Sequence, residues 1–221
     1  MDTIINRLTQ ASRTLLRYFS KWKLQVNPHK TEVILFTRRR PPPPPPFVFA
    51  QAQIPWSTHI RYLGLLLDSK LLYTYHINHS TRKAQGLLAL LFPLLASDST
   101  LTQSTKLHLY NLVIRPTITY AAPVWSSTSL SNYKQLQTIQ SKYLRVIGNL
   151  PKRTPITQLH ASINTIPIRD FIYKQTVTFY NSCLTHNNPL IRSIGNYTLL
   201  DLLSIYPKYI HKRPKHILLS P

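Results

Sequence analysis

The sequence predicts an α+β chain: a short N-terminal helix and a β-hairpin with a further strand, followed by a mostly helical remainder. Three observations predict it. Apolar residues recur three and four apart over the first twenty residues and again between 77 and 184, the period of a helix with one buried face. A β-rich run lies between Glu32 and Thr37, and another between Ile60 and Leu67. Six consecutive prolines, Pro41 to Pro46, sit between these two runs and can join neither helix nor sheet.

In the first segment Ile4, Leu8, Ala11, Leu15, Phe19 and Trp22 form one apolar stripe, and Arg7, Arg13, Arg17 and Lys21 lie mostly off it. A helix with a greasy side and a cationic side follows. Lys23 to Val26 reads as extended, Asn27-Pro28 as a turn, and Val33 to Phe36 as the second strand of a hairpin. The proline run then acts as a linker at positions 41 to 46, a spacer of polyproline II conformation behind the basic tip Arg38-Arg39-Arg40. It also has the composition of a ligand for a proline-reading domain of the SH3 or WW kind, although an exposed loop insert is the commoner use of such runs.

Beyond it, Ile60 to Leu67 reads as a buried strand closed by Asp68-Ser69-Lys70. Helices follow. Ile77, Thr81, Ala84, Leu88 and Leu91 mark one that should end near Pro93, and Leu101 to Ile114 marks another before Pro116. Between Tyr133 and Ile147 the seam Leu136, Ile139, Tyr143 and Ile147 is the clearest, with Lys134, Lys142 and Arg145 outside it. Weaker helical stretches run from Arg169 to Leu184 and from Leu199 to Ile205, and the basic, proline-punctuated end beyond Tyr206 reads as disordered. The organisation expected is thus residues 1–69, residues 70–190 as a helical domain, and a basic tail over 191–221.

Charge narrows the function. Lys and Arg number 27 against 6 acidic residues, a formal net charge of +21 that self-repels unless an anion answers it. Nucleic acid is the commonest such partner. An anionic membrane surface is the rival, but the cations are spread from Arg7 to Lys215 rather than clustered beside an amphipathic anchor. The single cysteine, Cys183, excludes an internal disulfide, no signal peptide opens the chain, and the most apolar run, Gly86 to Ala96, is about half of what a spanning helix needs. The chain reads as intracellular, in cytoplasm or nucleus, with no membrane partner.

No catalytic centre is visible. Two-metal phosphoryl transfer needs clustered carboxylates, whereas Asp2, Glu32, Asp68, Asp98, Asp170 and Asp201 are scattered and suit caps and turns. Cys183-x-x-His186 and His76-x-x-His79 have metal-like spacing, but a closed zinc site needs four ligands, so a buried thiol and surface imidazoles are the better reading. Neither a Gly-x-Ser-x-Gly elbow nor a phosphate-cradling glycine loop occurs. What remains positive is cations beside aromatics: Trp22-Lys23, Arg61-Tyr62, Lys142-Tyr143 and Lys208-Tyr209. Helical spacing assigns Trp22 and Tyr143 to the core; elsewhere an exposed ring could stack on a base while Lys and Arg neutralise phosphates.

Read in order, the segments resemble the region just after the catalytic motif of reverse transcriptases from non-LTR retrotransposons, most closely the jockey-like group. The resemblance runs through Trp22-Lys23-Leu24 with Asn27 and Lys30, Leu35 to Arg39, Arg61-Tyr62-Leu63-Gly64 with Leu67-Asp68, and His76-Ile77 with Lys83-Ala84. It continues through Leu109-Tyr110 with Arg115-Pro116, Tyr120 to Trp125, Leu136-Gln137 with Lys142 and Arg145, and Leu159-His160 to Asn188-Pro189.

The resemblance implies that residues 1–69 are the end of a polymerase palm, with Tyr62-Leu63-Gly64 as its primer-grip-like hairpin, and that the helices after them are a thumb that clamps the backbone of an RNA or DNA primer-template duplex. The residues it implicates in binding nucleic acid are Lys30, Arg38, Arg61, Tyr62, Leu63, Gly64, Lys83, Lys142 and Arg145. Two departures stand out. The family's paired aspartates, which would hold magnesium, would lie before Met1, so the expectation is a fragment without catalytic residues, cofactor or metal of its own. Ala121 stands where the family often has glycine after Tyr120. A different class of reading is a retroelement-derived interaction protein that works through its proline run and basic surface.

Overall fold

The first helix, α1, runs from Asp2 to Lys21 in the computed structural model of the protein, which describes residues 2–37 and 44–194. Arg38, Arg39, Arg40, the first three prolines of the run, the helix expected over Leu199 to Ile205 and the basic tail lie outside the described residues. The chain divides into two units, Met1–Leu71 and a second that begins at Leu72.

In the first unit α1 covers the expected span but turns a different stripe inward. Ile5, Leu8, Ser12, Leu16 and Phe19 are covered to some degree, while Ile4, Leu15 and Trp22 are exposed. Adjacent apolar pairs, Ile4-Ile5 and Leu15-Leu16, give the helix two candidate faces about 100° apart. The strand Phe47–Phe49 packs against α1, and one of the two faces is covered. Trp22 is therefore not a core residue; 60% exposed, it rests against the Tyr18 ring with centroids 6.2 Å apart.

Lys23 to Val26 forms no strand, so the expected hairpin between it and Val33 to Phe36 is absent. Asn27 accepts a hydrogen bond from the His29 N–H through its side chain (2.9 Å) and opens a 3-10 turn, Pro28–Lys30. Val33–Ile34 (β1) pairs instead in parallel with Trp56–Ser57 (β4). Between them, Phe47–Phe49 (β2) and Ala52–Ile54 (β3) make a hairpin whose buried residues are Phe47 and Ile54. The end of the proline run is tied to the unit, because the Trp56 indole N–H donates to the Pro45 carbonyl (2.9 Å). The stretch 60–67 is a second hairpin rather than one buried strand: His59–Tyr62 (β5) and Leu65–Asp68 (β6) are antiparallel, with Tyr62 opposite Leu65. Gly64, at φ +83°, lets the chain reverse there.

The second unit is helical. Thr74–Leu95 (α2) ends two residues beyond Pro93, close to where the sequence places its end. Gln103–Leu109 (α3) passes through a π-helical turn, Tyr110–Ile114, into Arg115–Thr119 (α4). Pro116 thus lies just beyond the π turn, and the helical backbone continues through it to Thr119 instead of ending before it. Ala122–Trp125 (α5), Leu130–Ile147 (α6), Ile156–Ile163 (α7), Ile168–Leu184 (α8) and Pro189–Arg192 (α9) complete it.

Helix α6 is the centre of this unit. Leu136, Ile139, Tyr143 and Ile147 are buried as their spacing predicts, and Leu144 packs with Leu159 and Ile163 of α7. Buried polar groups fix the neighbours. The Tyr143 hydroxyl donates to the Ala84 carbonyl on α2 (2.5 Å). Gln140 donates from Nε2 to the Ile166 carbonyl (3.0 Å) and accepts the Ile168 N–H (2.8 Å), which sets where α8 starts. His160 of α7 lies 2.8 Å from the Thr165 carbonyl through Nδ1, which must therefore carry the hydrogen, and 2.9 Å from Gln137 through Nε2. Gly148 ends α6, where a Cβ would come within 2.9 Å of Ile163 Cδ1.

Cys183 is buried, as read from sequence, but His76 is not a surface imidazole. It lies under Trp125, ring centroids 6.1 Å apart, and burial first, then the neighbouring His79, holds its imidazole below its ordinary range. The folded unit therefore prefers His76 neutral. The unfolded chain takes up its proton as pH falls through about 6.5, so stability is full above that value and declines below it. Urea midpoints should fall between pH 7 and 5, and His76→Gln should flatten that decline; equal slopes for the two proteins would show that His76 is not responsible. A second expected outcome concerns Ala121, which caps α5 with a left-handed φ of +53°. Such a φ costs a non-glycine residue about 1–2 kcal/mol. Ala121→Gly relieves that and adds about 0.4–1 kcal/mol of unfolded-chain entropy. A net gain of about 0.5–1 kcal/mol in urea unfolding is expected.

Candidate nucleic-acid interface

Six of the sequence-predicted binding residues form two groups, one in each unit. In the first, Arg61, Tyr62, Leu63 and Gly64 form the end of the β5–β6 hairpin, all of them exposed. The two-residue loop Leu63-Gly64 has positive φ at both positions, the arrangement of a type I′ turn. Leucine is a poor occupant of that first position, where Asn, Asp or Gly is normal. Leu63 is left 75% exposed and Tyr62 61% exposed at the tip. The turn thus presents an aromatic and an aliphatic side chain beside the Arg61 guanidinium. Lys30 is exposed at the end of the 3-10 turn, and that turn lies against β3. Arg38 lies outside the described residues.

In the second unit an open groove of about 1020 Å³ runs between the C-terminal half of α2, the outward face of α6 and the segment that leads into α7. Helix α6 positions its cations by spacing. Lys134, Thr138, Ser141, Lys142, Arg145 and Asn149 recur at three- and four-residue intervals and line one wall. Lys152 closes one end, and Asp98 is the single acidic residue on the lining. The rest is apolar, with Leu88 and Phe92 from α2 facing Val146, Leu150 and Ile156. Phe92 is 51% exposed.

Lys142 and Arg145 are thus brought together as the sequence predicts, but they differ in freedom. Lys142 is exposed, whereas Arg145 is half-buried and donates from Nη2 to the Thr154 carbonyl (3.1 Å). That bond holds the charge at the groove wall. Lys83 does not join them. It is exposed on α2 and absent from the groove lining, nine residues before Phe92 and so about half a turn around the helix from it. Lys134 and Lys152 were not singled out as binding residues. The signal for Lys134 was present, since it shares the outward side of the α6 seam; Lys152 sits in a loop whose path no periodicity announces.

Buried cations elsewhere are spent on structure. Lys106 is almost wholly covered, and its ammonium donates to the Ala96 carbonyl (2.5 Å) at the C-terminal end of α2, where the helix dipole favours a positive charge. Among the described residues no three His, Cys, Asp or Glu side chains gather as a metal-binding group. Among the same residues no helix is long and apolar enough to cross a membrane.

The class of protein this chain resembles is the RNA-directed DNA polymerase of mobile elements, the non-LTR, jockey-like group whose motifs its sequence carries. In particular, it is 28% identical over 175 residues to "Probable RNA-directed DNA polymerase from transposon X-element" of Drosophila melanogaster, covering 79% of this chain and 19% of that protein. It is 28% identical over 182 residues to the corresponding protein of transposon BS from the same species, covering 82% and 20%. It is 24% identical over 199 residues to the RNA-directed DNA polymerase of mobile element jockey from Drosophila funebris, covering 88% and 22%. The chain spans about a fifth of the length of these curated relatives. No family model and no solved structure matches it.

The strained hairpin tip makes one outcome measurable without a ligand. Leu63 has φ +46°, which Asn tolerates far better, and its side chain buries little. Leu63→Asn should raise the stability of the protein by about 0.5–1 kcal/mol in urea unfolding. A loss of stability would mean that Leu63 makes a packing contact worth more than the strain.

Proposed function

We propose that the chain is the part of a mobile-element RNA-directed DNA polymerase that binds the primer-template duplex, comprising the end of the palm and the thumb, and that it performs no nucleotidyl transfer by itself. The observation that carries the reading is the groove wall on α6, where Lys134, Lys142 and Arg145, with Lys152 beyond, meet a single carboxylate. A duplex backbone asks for cations at repeated intervals and for no base code, and a rigid helix supplies such intervals. The tip Arg61-Tyr62-Leu63-Gly64 suits a second task, contact with the end of a strand, because an exposed ring and an aliphatic side chain can press on a terminal base while arginine takes a phosphate. RNA and DNA are the partners on this reading. The relatives' names supply the prior, and the +21 charge supplies the driving force.

Fluorescence anisotropy of a labelled RNA–DNA hybrid tests it. Binding should weaken steeply with salt, and each of Lys134→Gln, Lys142→Gln and Lys152→Gln should flatten the slope of log Kd against log salt by about 0.9. Affinity that is micromolar or weaker at low salt, and flat with ionic strength, would overturn the reading.

A further inference from the structure

The groove has more apolar wall than a duplex can use. Phosphates on a duplex meet a protein surface through their oxygens, while the faces of the bases stay stacked inside the helix and out of reach. Lysines on a convex surface would suffice for that. Here the cations edge a concavity whose α2 side is Leu88 and a half-exposed Phe92, faced by Ile156, which is 48% exposed. Its volume of about 1020 Å³ is at the upper end of the roughly 300–1,000 Å³ that holds a small organic molecule.

An occupant that satisfies both walls must carry anionic groups at one edge and a flat apolar body at the other. An unpaired nucleotide does. Its phosphate is drawn to Lys134, Lys142 and Lys152, and its base has a π-face for the Phe92 ring, which needs no particular sequence. We infer that this groove receives unpaired nucleotides of a single-stranded segment, with Phe92 as the stacking platform and the α6 lysines as the backbone clamp. The inference rests on the phosphate-binding reading of α6 given above and adds the strandedness of the ligand. An acidic amphipathic peptide would also offer anions and an apolar face. A strand of nucleic acid is favoured because its charge is one per residue, matching a row of cations, and because the exposed Phe92 offers a stacking face that a peptide helix does not require.

The test compares the full chain with Phe92→Ala, Phe92→Tyr and Lys142→Gln, measuring anisotropy with labelled oligo(dT) and with a blunt RNA–DNA hybrid of the same length. Phe92 is exposed, and the helical hydrogen bond at its position runs through its carbonyl, which accepts the Ala96 N–H, so alanine there leaves α2 intact. Phe92→Ala should weaken oligo(dT) binding about five- to hundredfold, the usual effect of losing one base–aromatic stack, and change hybrid binding less than twofold. Phe92→Tyr should bind oligo(dT) like the parent, and Lys142→Gln should weaken both ligands. If Phe92→Ala leaves oligo(dT) affinity unchanged while hybrid binding stays salt-dependent, the unpaired-nucleotide inference falls and the duplex reading stands. If neither ligand binds at low salt, both fall. If a glutamate-rich amphipathic peptide binds more tightly than oligo(dT) and needs Phe92, the groove is a peptide site and the inference is overturned.

Discussion

The second unit depends on the polar groups that α6 buries. Asn132, Gln140, Ser141 and Tyr143 are all nearly inaccessible, and three of them reach the backbone or side chains of other segments. A satisfied hydrogen bond of this kind nets about 1 kcal/mol, but a buried partner left unpaired costs about 1–3 kcal/mol. The asymmetry gives the helix one rotation in which all are satisfied. In that rotation Gln140 meets residues 166 and 168, Tyr143 meets Ala84, and the Asn132 amide nitrogen lies within reach of Leu72, Thr74 and Thr128. The opposite face, with Lys134 and Lys142, is then aimed outward by the same constraint. The position of the surface charges is inherited from the core.

Charge is divided between two uses. With 27 Lys and Arg against 6 acidic residues, most cations have no carboxylate to pair with, and carbonyl oxygens serve two of them instead. Lys106 settles on the carbonyl end of α2, and Arg145 on Thr154. These placements turn a surplus of charge into helix termination and loop fixation. Lys134, Lys142 and Lys152 line the groove with one carboxylate among them. An anion from outside relieves their mutual repulsion, so on the proposed function the charge imbalance that is a liability for the free chain is also what attracts its ligand.

Helices with one regular apolar face were legible in the sequence, and α6 is the plainest, because its four seam residues are all buried. Where the sequence offered two faces, as in α1, the choice depended on strands too short to have a period of their own. Pro93 marked the end of its helix to within two residues, whereas Pro116 did not end one: a π turn at Tyr110–Ile114 precedes it and the helical backbone runs on through it to Thr119. In the candidate site, the α6 cations were visible as the polar side of a helix. Lys83 was separated from them by the rotation of α2, and Phe92 was taken for part of an apolar run rather than an exposed ring.

The turns were hidden for a different reason, and it bears on how the protein is held together. The chain has only four glycines, and it uses other residues where the backbone turns left-handed: Ala50 and Gln51 between β2 and β3, Leu63 before Gly64, Tyr73 before α2 and Ala121 before α5. None of these is a turn residue by chemistry, so no hairpin is announced at Ala50-Gln51. Each carries strain of about 1–2 kcal/mol, a sizeable share of the roughly 5–15 kcal/mol by which domains are stable. Added to the self-repulsion of a +21 chain, such strain lowers the stability of the free protein. A polyanion that binds only the folded state acts on the same balance in the other direction, stabilising it in proportion to the logarithm of its concentration over Kd. On the proposed function, folding and binding are therefore coupled through charge: the cations that burden the free fold become favourable when an anion neutralises them.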